Sequence, residues 1–118
     1  MSSRNYIQTE RAPKAIGAYS QAVRYEQTVW ISGQIPLDPV SMEVIGNSDS
    51  DEGVRSQIEQ VFANLNYICE DSGGSLREIV KLNIFLTDMS HFQGIIFVRL
   101  YSMLMNRQDL HPILLYAH

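Results

Sequence analysis

The stretch Asp51-Glu52-Gly53-Val54-Arg55-Ser56-Gln57-Ile58-Glu59-Gln60-Val61-Phe62-Ala63-Asn64-Leu65-Asn66-Tyr67-Ile68-Cys69-Glu70-Asp71-Ser72 decides the fold class, because it sets one long helix between segments that read as strands. Val54, Ile58, Val61, Phe62, Leu65, Ile68 and Cys69 recur at offsets of three and four residues, so they share one face of an amphipathic helix. Ser48 or Ser50 supplies a capping oxygen for the free amides at its start, and Asp51 with Glu52 suits the positive end of the helix dipole. Gly73-Gly74 supplies the left-handed backbone that ends it.

Upstream, Ala22-Val23-Arg24-Tyr25 and Thr28-Val29-Trp30-Ile31 flank Glu26-Gln27, which reads as a hairpin with β-branched and aromatic arms. Gly33, Pro36, Asp38 and Pro39 then break regular structure and make a shaped loop, since each proline fixes φ and removes a donor. Downstream, Ile79 to Leu86 reads as a strand buried on at least one face. Asp88 or Ser90 opens a second helix carrying Phe92, Ile95, Ile96, Leu100, Met103 and Leu104, and Pro112 to Tyr116 reads as a short last strand. Strands, helix, strand, helix, strand make an α+β fold with two helices on one face of a mostly antiparallel sheet. No repeat or Gly/Ser linker divides residues 1–118, which read as a single domain.

The chain has 118 residues, 45% of them hydrophobic, which suits one modest core and excludes a large multidomain enzyme. Lys plus Arg number 9 against 13 Asp plus Glu, a net charge of -4 that gives no basic field for a phosphate backbone, so nucleic acid is not an expected partner. One cysteine, Cys69, cannot form an internal disulfide and fits a reducing compartment. Met1 to Lys14 has no apolar core of a signal peptide, and no run approaches the roughly 20 apolar residues of a membrane span. The expectation is a cytoplasmic protein with no membrane contact.

Metal chemistry has little to work with, since His91, His111 and His118 offer no i, i+4 pair. Cys69 lies on the apolar helix face and reads as a small core residue rather than a nucleophile. No nucleophile elbow, P-loop or dinucleotide fingerprint is present. Polar residues gather instead at the two ends of the hairpin: Tyr19, Ser20 and Gln21 before it, Ser32, Gly33 and Gln34 after it. A hairpin brings those ends together. Tyr19 and Ser32 offer hydroxyls to a small polar ligand, and Gly33 lets a backbone approach closely. The competing reading is that these hydroxyls satisfy local backbone groups, a common chemistry of strand ends.

These residues carry a family resemblance. Ala12-Pro13-Lys14-Ala15-Ile16-Gly17-Ala18-Tyr19-Ser20-Gln21-Ala22-Val23 resembles the opening signature of the RidA (YjgF, reactive intermediate deaminase, endoribonuclease L-PSP-like) family, usually Ala-Pro-x-Ala-Ile-Gly-Pro-Tyr-Ser-Gln-Ala. Ser32-Gly33-Gln34-Ile35-Pro36-Leu37-Asp38-Pro39 is similar to its second signature, and Gln60 to Leu65 and Val80 to Asp88 match as well. Four motifs in order cover residues 12–94, with Ala18 in place of the family's proline. The resemblance implies a chorismate-mutase-like fold, a homotrimer, and sites in clefts between subunits. It also implies hydrolysis of enamine and 2-imino acid intermediates to 2-keto acids and ammonia without a cofactor. Carried over by position, Tyr19 lines the cleft and Ser32 with Gly33 forms its floor.

The tail, residues 95–118, departs from that pattern. The family continues to a Pro-Ala-Arg motif whose arginine holds the substrate carboxylate, and a later strand supplies a glutamate. Here Pro112 is followed by Ile113 and Leu114, no arginine follows Arg107, and no Asp or Glu follows Asp109. The catalytic arginine and glutamate are thus not found. Arg99, Arg107 and His111 are the remaining candidates to replace the guanidinium. The abrupt change is read as a shift of reading frame near Gly94 to Phe97, and loss of the family's last strand is expected to leave a sheet edge unpaired. Two functions are carried forward: an imine deaminase, impaired or active, and a non-catalytic trimer of the same fold that binds a small metabolite or protects other proteins.

Overall fold

Glu26 sits at φ 55°, so the chain reverses after Tyr25 in a two-residue turn without glycine. Its arms are β2 (Ala22–Tyr25) and β3 (Thr28–Ile31), antiparallel with Ala22 opposite Ile31 and Tyr25 opposite Thr28. The computed structural model describes residues 4–96 and 114–117. A strand absent from the sequence reading, β1 (Asn5–Ile7), pairs antiparallel with β2. It is a short, largely exposed edge strand, so it lacks the apolar alternation that announces a half-buried one.

The helix α1 (Asp51–Asp71) has the expected bounds and buried face. The Gly53 amide donates to Ser50 Oγ at 3.0 Å, which settles the cap on Ser50. At the other end the Gly74 amide donates to the Cys69 carbonyl at 2.9 Å and the Gly73 amide to the Glu70 carbonyl at 3.0 Å, with Gly73 at φ 92°. This is a Schellman ending, and it needs a residue tolerant of positive φ at that position. The last turn holds acids and no bases, and Arg24 offsets this by donating to the Ser72 carbonyl at 3.0 Å.

Two expectations are corrected downstream. The strand predicted over Ile79 to Leu86 is β4 (Ile79–Leu82), half as long. Among the described strands it pairs only with β5 (Leu114–Ala117), whose Ala117 lies opposite Leu82, so from Asn83 onward there is no ladder to extend it. The sheet, in order β1-β2-β3-β5-β4, is antiparallel through its first half, whereas β5 runs parallel to both β3 and β4. The mostly antiparallel description therefore holds for β1 to β3 alone. The tail also contributes an inner strand, hydrogen-bonded on both sides, and the described sheet edges are β1 and β4.

One face of the sheet packs on α1. Ala22, Val29, Ile31 and Ile79 meet Val54, Ile58, Phe62, Leu65, Ile68 and Cys69 in a single buried cluster. On the opposite face Tyr6, Val23 and Trp30 follow one another across three strands, and Trp30 is 47% exposed. The second predicted helix is seen only at its start, as a turn through Ser90 and His91 followed by a π-helical turn over Phe92–Ile96. Its predicted face at Leu100, Met103 and Leu104 lies outside the described residues.

Candidate functional site

The hairpin brings its two polar ends together. The Ser32 amide donates to the Gln21 carbonyl at 2.9 Å, and Ser32 Oγ donates to the Ser20 carbonyl at 2.5 Å. Ser32 thus uses its hydroxyl proton to tie the two ends. Beside it Gln21, 2% exposed, has its side-chain amide fully engaged. Its Oε1 accepts from the Thr9 amide at 2.6 Å, and its Nε2 donates to the carbonyls of Pro13 at 2.8 Å, Thr9 at 3.0 Å and Ala12 at 3.3 Å. A buried amide satisfied on both ends fixes the backbone it touches. Residues 9–13 are latched from the other side by Arg11, which donates to Glu70 at 3.0 Å and Asp71 at 2.9 Å and stacks over the Tyr67 ring at 4.7 Å. That guanidinium, followed by Thr9, holds the Asp71 carboxyl below its ordinary range.

The latched segment leads directly into the loop that carries Tyr19. The Ile16 amide donates to Tyr19 Oη at 3.3 Å, folding the side chain back over its own loop, and Gly17 leaves space for the ring. The phenol oxygen accepts this bond, and among the described residues its own proton meets no acceptor. Tyr19, Gly33, Lys14, Gln34 and Ile35 line a recess of about 30 Å³. The structure therefore brings Tyr19 and Gly33 together and sets Ser32 behind them.

A second cavity, about 490 Å³, lies on the other side of the same Gly33–Ile35 segment. Its walls are the α1 face at Ile58, Phe62 and Leu65 and the chain from Leu82 to Thr87, so it is mostly apolar. Asn64, fully buried on α1, supports the shared wall: its Nδ2 donates to the Leu37 carbonyl at 3.0 Å, while its Oδ1 accepts from Gln60 at 2.8 Å. Asp38 closes the following turn by accepting from the amides of Val40 at 2.8 Å and Ser41 at 2.9 Å, which holds its carboxyl below its ordinary range.

Sequence reasoning placed Gln21 in the polar cluster at the hairpin ends without giving it a role, and missed Asn64 and Lys14. Gln21 and Asn64 had a signal, since each is a polar residue next to apolar positions of a strand or helix. Lys14 had none, because only the folded loop sets it beside Gly33. Cys69 is wholly buried, and desolvation, with smaller contributions from Glu78 and Glu70, pushes its thiol up to about 12. Among the described residues no group of three or more His, Cys, Asp or Glu could hold a metal ion, and no helix is long and apolar enough to cross a membrane. Arg99, Arg107 and His111 lie outside the described residues.

A family model for endoribonuclease L-PSP matches residues 9–110, a span that runs past Gly94. The mouse 2-iminobutanoate/2-iminopropanoate deaminase is 39% identical over 89 residues, 75% of this chain and 62% of its own length. The match thus spans less than two thirds of that curated relative. The crystal structure of RidA from an Antarctic Psychrobacter superposes with a TM-score of 0.64 at 38% identity, covering 97% of this chain and 84% of that one. Escherichia coli TdcF with bound serine gives a TM-score of 0.68 at 25% identity, with the same 97% and 84% coverage.

Proposed function

The chain belongs to the RidA/YjgF/L-PSP (RutC) family, and from that membership we propose that it hydrolyses small 2-imino acids and their enamine tautomers to 2-keto acids and ammonia. The observation that carries this reading is the recess itself, whose lining includes Tyr19, Gly33 and Lys14 at the end of a hairpin. The mouse relative is named for this reaction, and the TdcF structure holds serine, a small amino acid.

The chemistry asks little of the protein. An iminium carbon is already electrophilic, so water adds to it, and the C–N bond breaks as the carbonyl forms: the iminium and one water become a ketone and ammonium. Catalysis is then a matter of holding the carboxylate and orienting the water, without a cofactor. Tyr19 takes the role of a donor at the cleft wall and Gly33 forms the floor, while Ser32, expected beside Gly33, ties the hairpin ends behind it. No side chain is assigned as general base.

The reading includes a homotrimer in the cytosol with sites between subunits. The Tyr6–Val23–Trp30 row on the sheet face away from α1, with Tyr6 and Trp30 exposed among the described residues, supports such an assembly. The register adds a second support, because Leu114 lies opposite Thr28, four positions before Ser32 and about 13 Å along the strand from it. In the proposed trimer a group at position 114 would reach a ligand at Gly33 from a neighbouring subunit rather than along its own strand.

The test is ammonia and keto-acid release from imines generated in place by an amino-acid oxidase. Addition of the protein is expected to accelerate release in proportion to its concentration; a rate equal to buffer at high protein concentration contradicts it. The absent family arginine favours the second reading, a trimer that binds a small carboxylate without turnover. A ligand-dependent rise in Tm with no acceleration would select that reading.

A further inference from the structure

We infer that Lys14 is the carboxylate-binding residue of this chain, standing in for the family's Pro-Ala-Arg arginine, whose motif the tail does not carry. The inference rests on the reading of the Tyr19–Gly33 recess as the substrate site and assigns the group that holds the substrate's charge.

Four observations converge on it. Lys14 is the one cationic side chain among the described residues that line the recess, and no carboxylate lines it with them. Arg11, the other base of this segment, is held by Glu70 and Asp71. Lys14 enters no ion pair among the described residues, so its ammonium is available to a ligand. Its backbone is placed rather than loose, since the carbonyl of the preceding Pro13 accepts from buried Gln21 at 2.8 Å.

Neutral donors complete the site. The strand ladder ends with the Ser32 amide on the Gln21 carbonyl, so among the described residues the amides of Gly33 and Gln34 are not used in pairing. A carboxylate in the recess would meet an ammonium, two amides and the Tyr19 hydroxyl, the mixture of one charge and several dipoles that small-anion sites use. A lysine differs from an arginine here. It is a compact point charge on a flexible stem, without the guanidinium fork that fixes a carboxylate in two parallel bonds. Binding through Lys14 is therefore less selective for the acid's orientation and more sensitive to salt, as expected of an exposed ammonium. The ligand class is a short 2-oxo or 2-imino monocarboxylate.

The test compares wild type, Lys14→Met and Lys14→Arg in binding sodium 2-oxobutanoate, with uncharged 2-butanone as the control. Lys14 is exposed and enters no ion pair among the described residues, so both variants are expected to fold as wild type. Lys14→Met should weaken 2-oxobutanoate about tenfold or more, leave 2-butanone unchanged and abolish the salt dependence, whereas Lys14→Arg should restore most of the affinity. In turnover the KM of the imino acid should rise about tenfold with little change in kcat, because charge on the carboxylate is the same in the ground and transition states. Equal affinity of Lys14→Met and wild type for 2-oxobutanoate overturns the assignment, as does a wild type that does not prefer 2-oxobutanoate to 2-butanone. A wild type that binds through Lys14 yet leaves imine hydrolysis at the buffer rate overturns the deaminase reading and leaves this assignment standing.

Discussion

Two hollows flank the segment Gly33–Ile35, and they are built by opposite means. The larger, about 490 Å³, is bounded by apolar side chains of α1 and the chain beyond β4, and it is shaped by packing. The smaller, about 30 Å³, is bounded by residues whose backbones are fixed one by one through Gln21, Ser32 and Tyr19. Volume favours the first as a ligand site and chemistry favours the second. The proposed imine hydrolysis calls for fixed dipoles and a charge at the substrate, and Tyr19, Gly33 and Lys14 of the small recess are residues that can supply them.

This contrast can be broken by substitution. Phe62→Ala removes a nearly buried ring from the wall of the large cavity and should cost about 3 kcal/mol, the low end for such truncations because the neighbouring space already relieves part of the packing. Urea denaturation should show that loss while imine hydrolysis per folded molecule stays near wild type. Gln21→Leu is expected to cost somewhat less, about 2 kcal/mol, from unpaired groups at Thr9, Ala12 and Pro13. It should nevertheless depress turnover at least tenfold, because it releases the loop that carries Lys14 and Tyr19. If both variants lose activity in proportion to stability, the two hollows are not functionally distinct.

The same contrast explains what could be read from the sequence. Periodicity exposed α1 with its Ser50 cap and Gly73 ending, and the alternation of apolar arms exposed the β2–β3 hairpin, since both are local patterns. The length of β4 could not be read, because it is set by its partner: Ile84 and Leu86 are as apolar as Ile79, but β5 stops opposite Leu82. The parallel placement of β5 is equally a matter of distant pairing. At the site, the proximity of Tyr19 and Gly33 followed from the hairpin, whereas the position of Lys14 depends on the bonds of Gln21 across the fold. The alternative reading of Ser32, as a hydroxyl serving local backbone, describes the bond it makes to Ser20.

A smaller effect sharpens the account from the polar side. The Asp71 carboxyl is held below its usual range chiefly by Arg11, so its contribution to the latch is present above the unfolded value of 3.8 and is lost as pH falls through the lower folded value. The pair is exposed, which makes the contribution modest. Hydrogen exchange of residues 9–13 should therefore speed up below about pH 4 before α1 melts, and Arg11→Met should remove that pH dependence. Simultaneous loss of protection in both regions would show that the latch has no independent behaviour.

The central claim is that chemistry resides in the recess, and it is tested most directly by measuring imine hydrolysis for Tyr19→Ala beside Gln57→Ala. Tyr19 lines only the recess, whereas Gln57 lines only the large cavity. The account predicts that Tyr19→Ala reduces turnover about tenfold or more while Gln57→Ala stays within about twofold of wild type. Retained activity in Tyr19→Ala, or a comparable loss in Gln57→Ala with its fold intact, would contradict it.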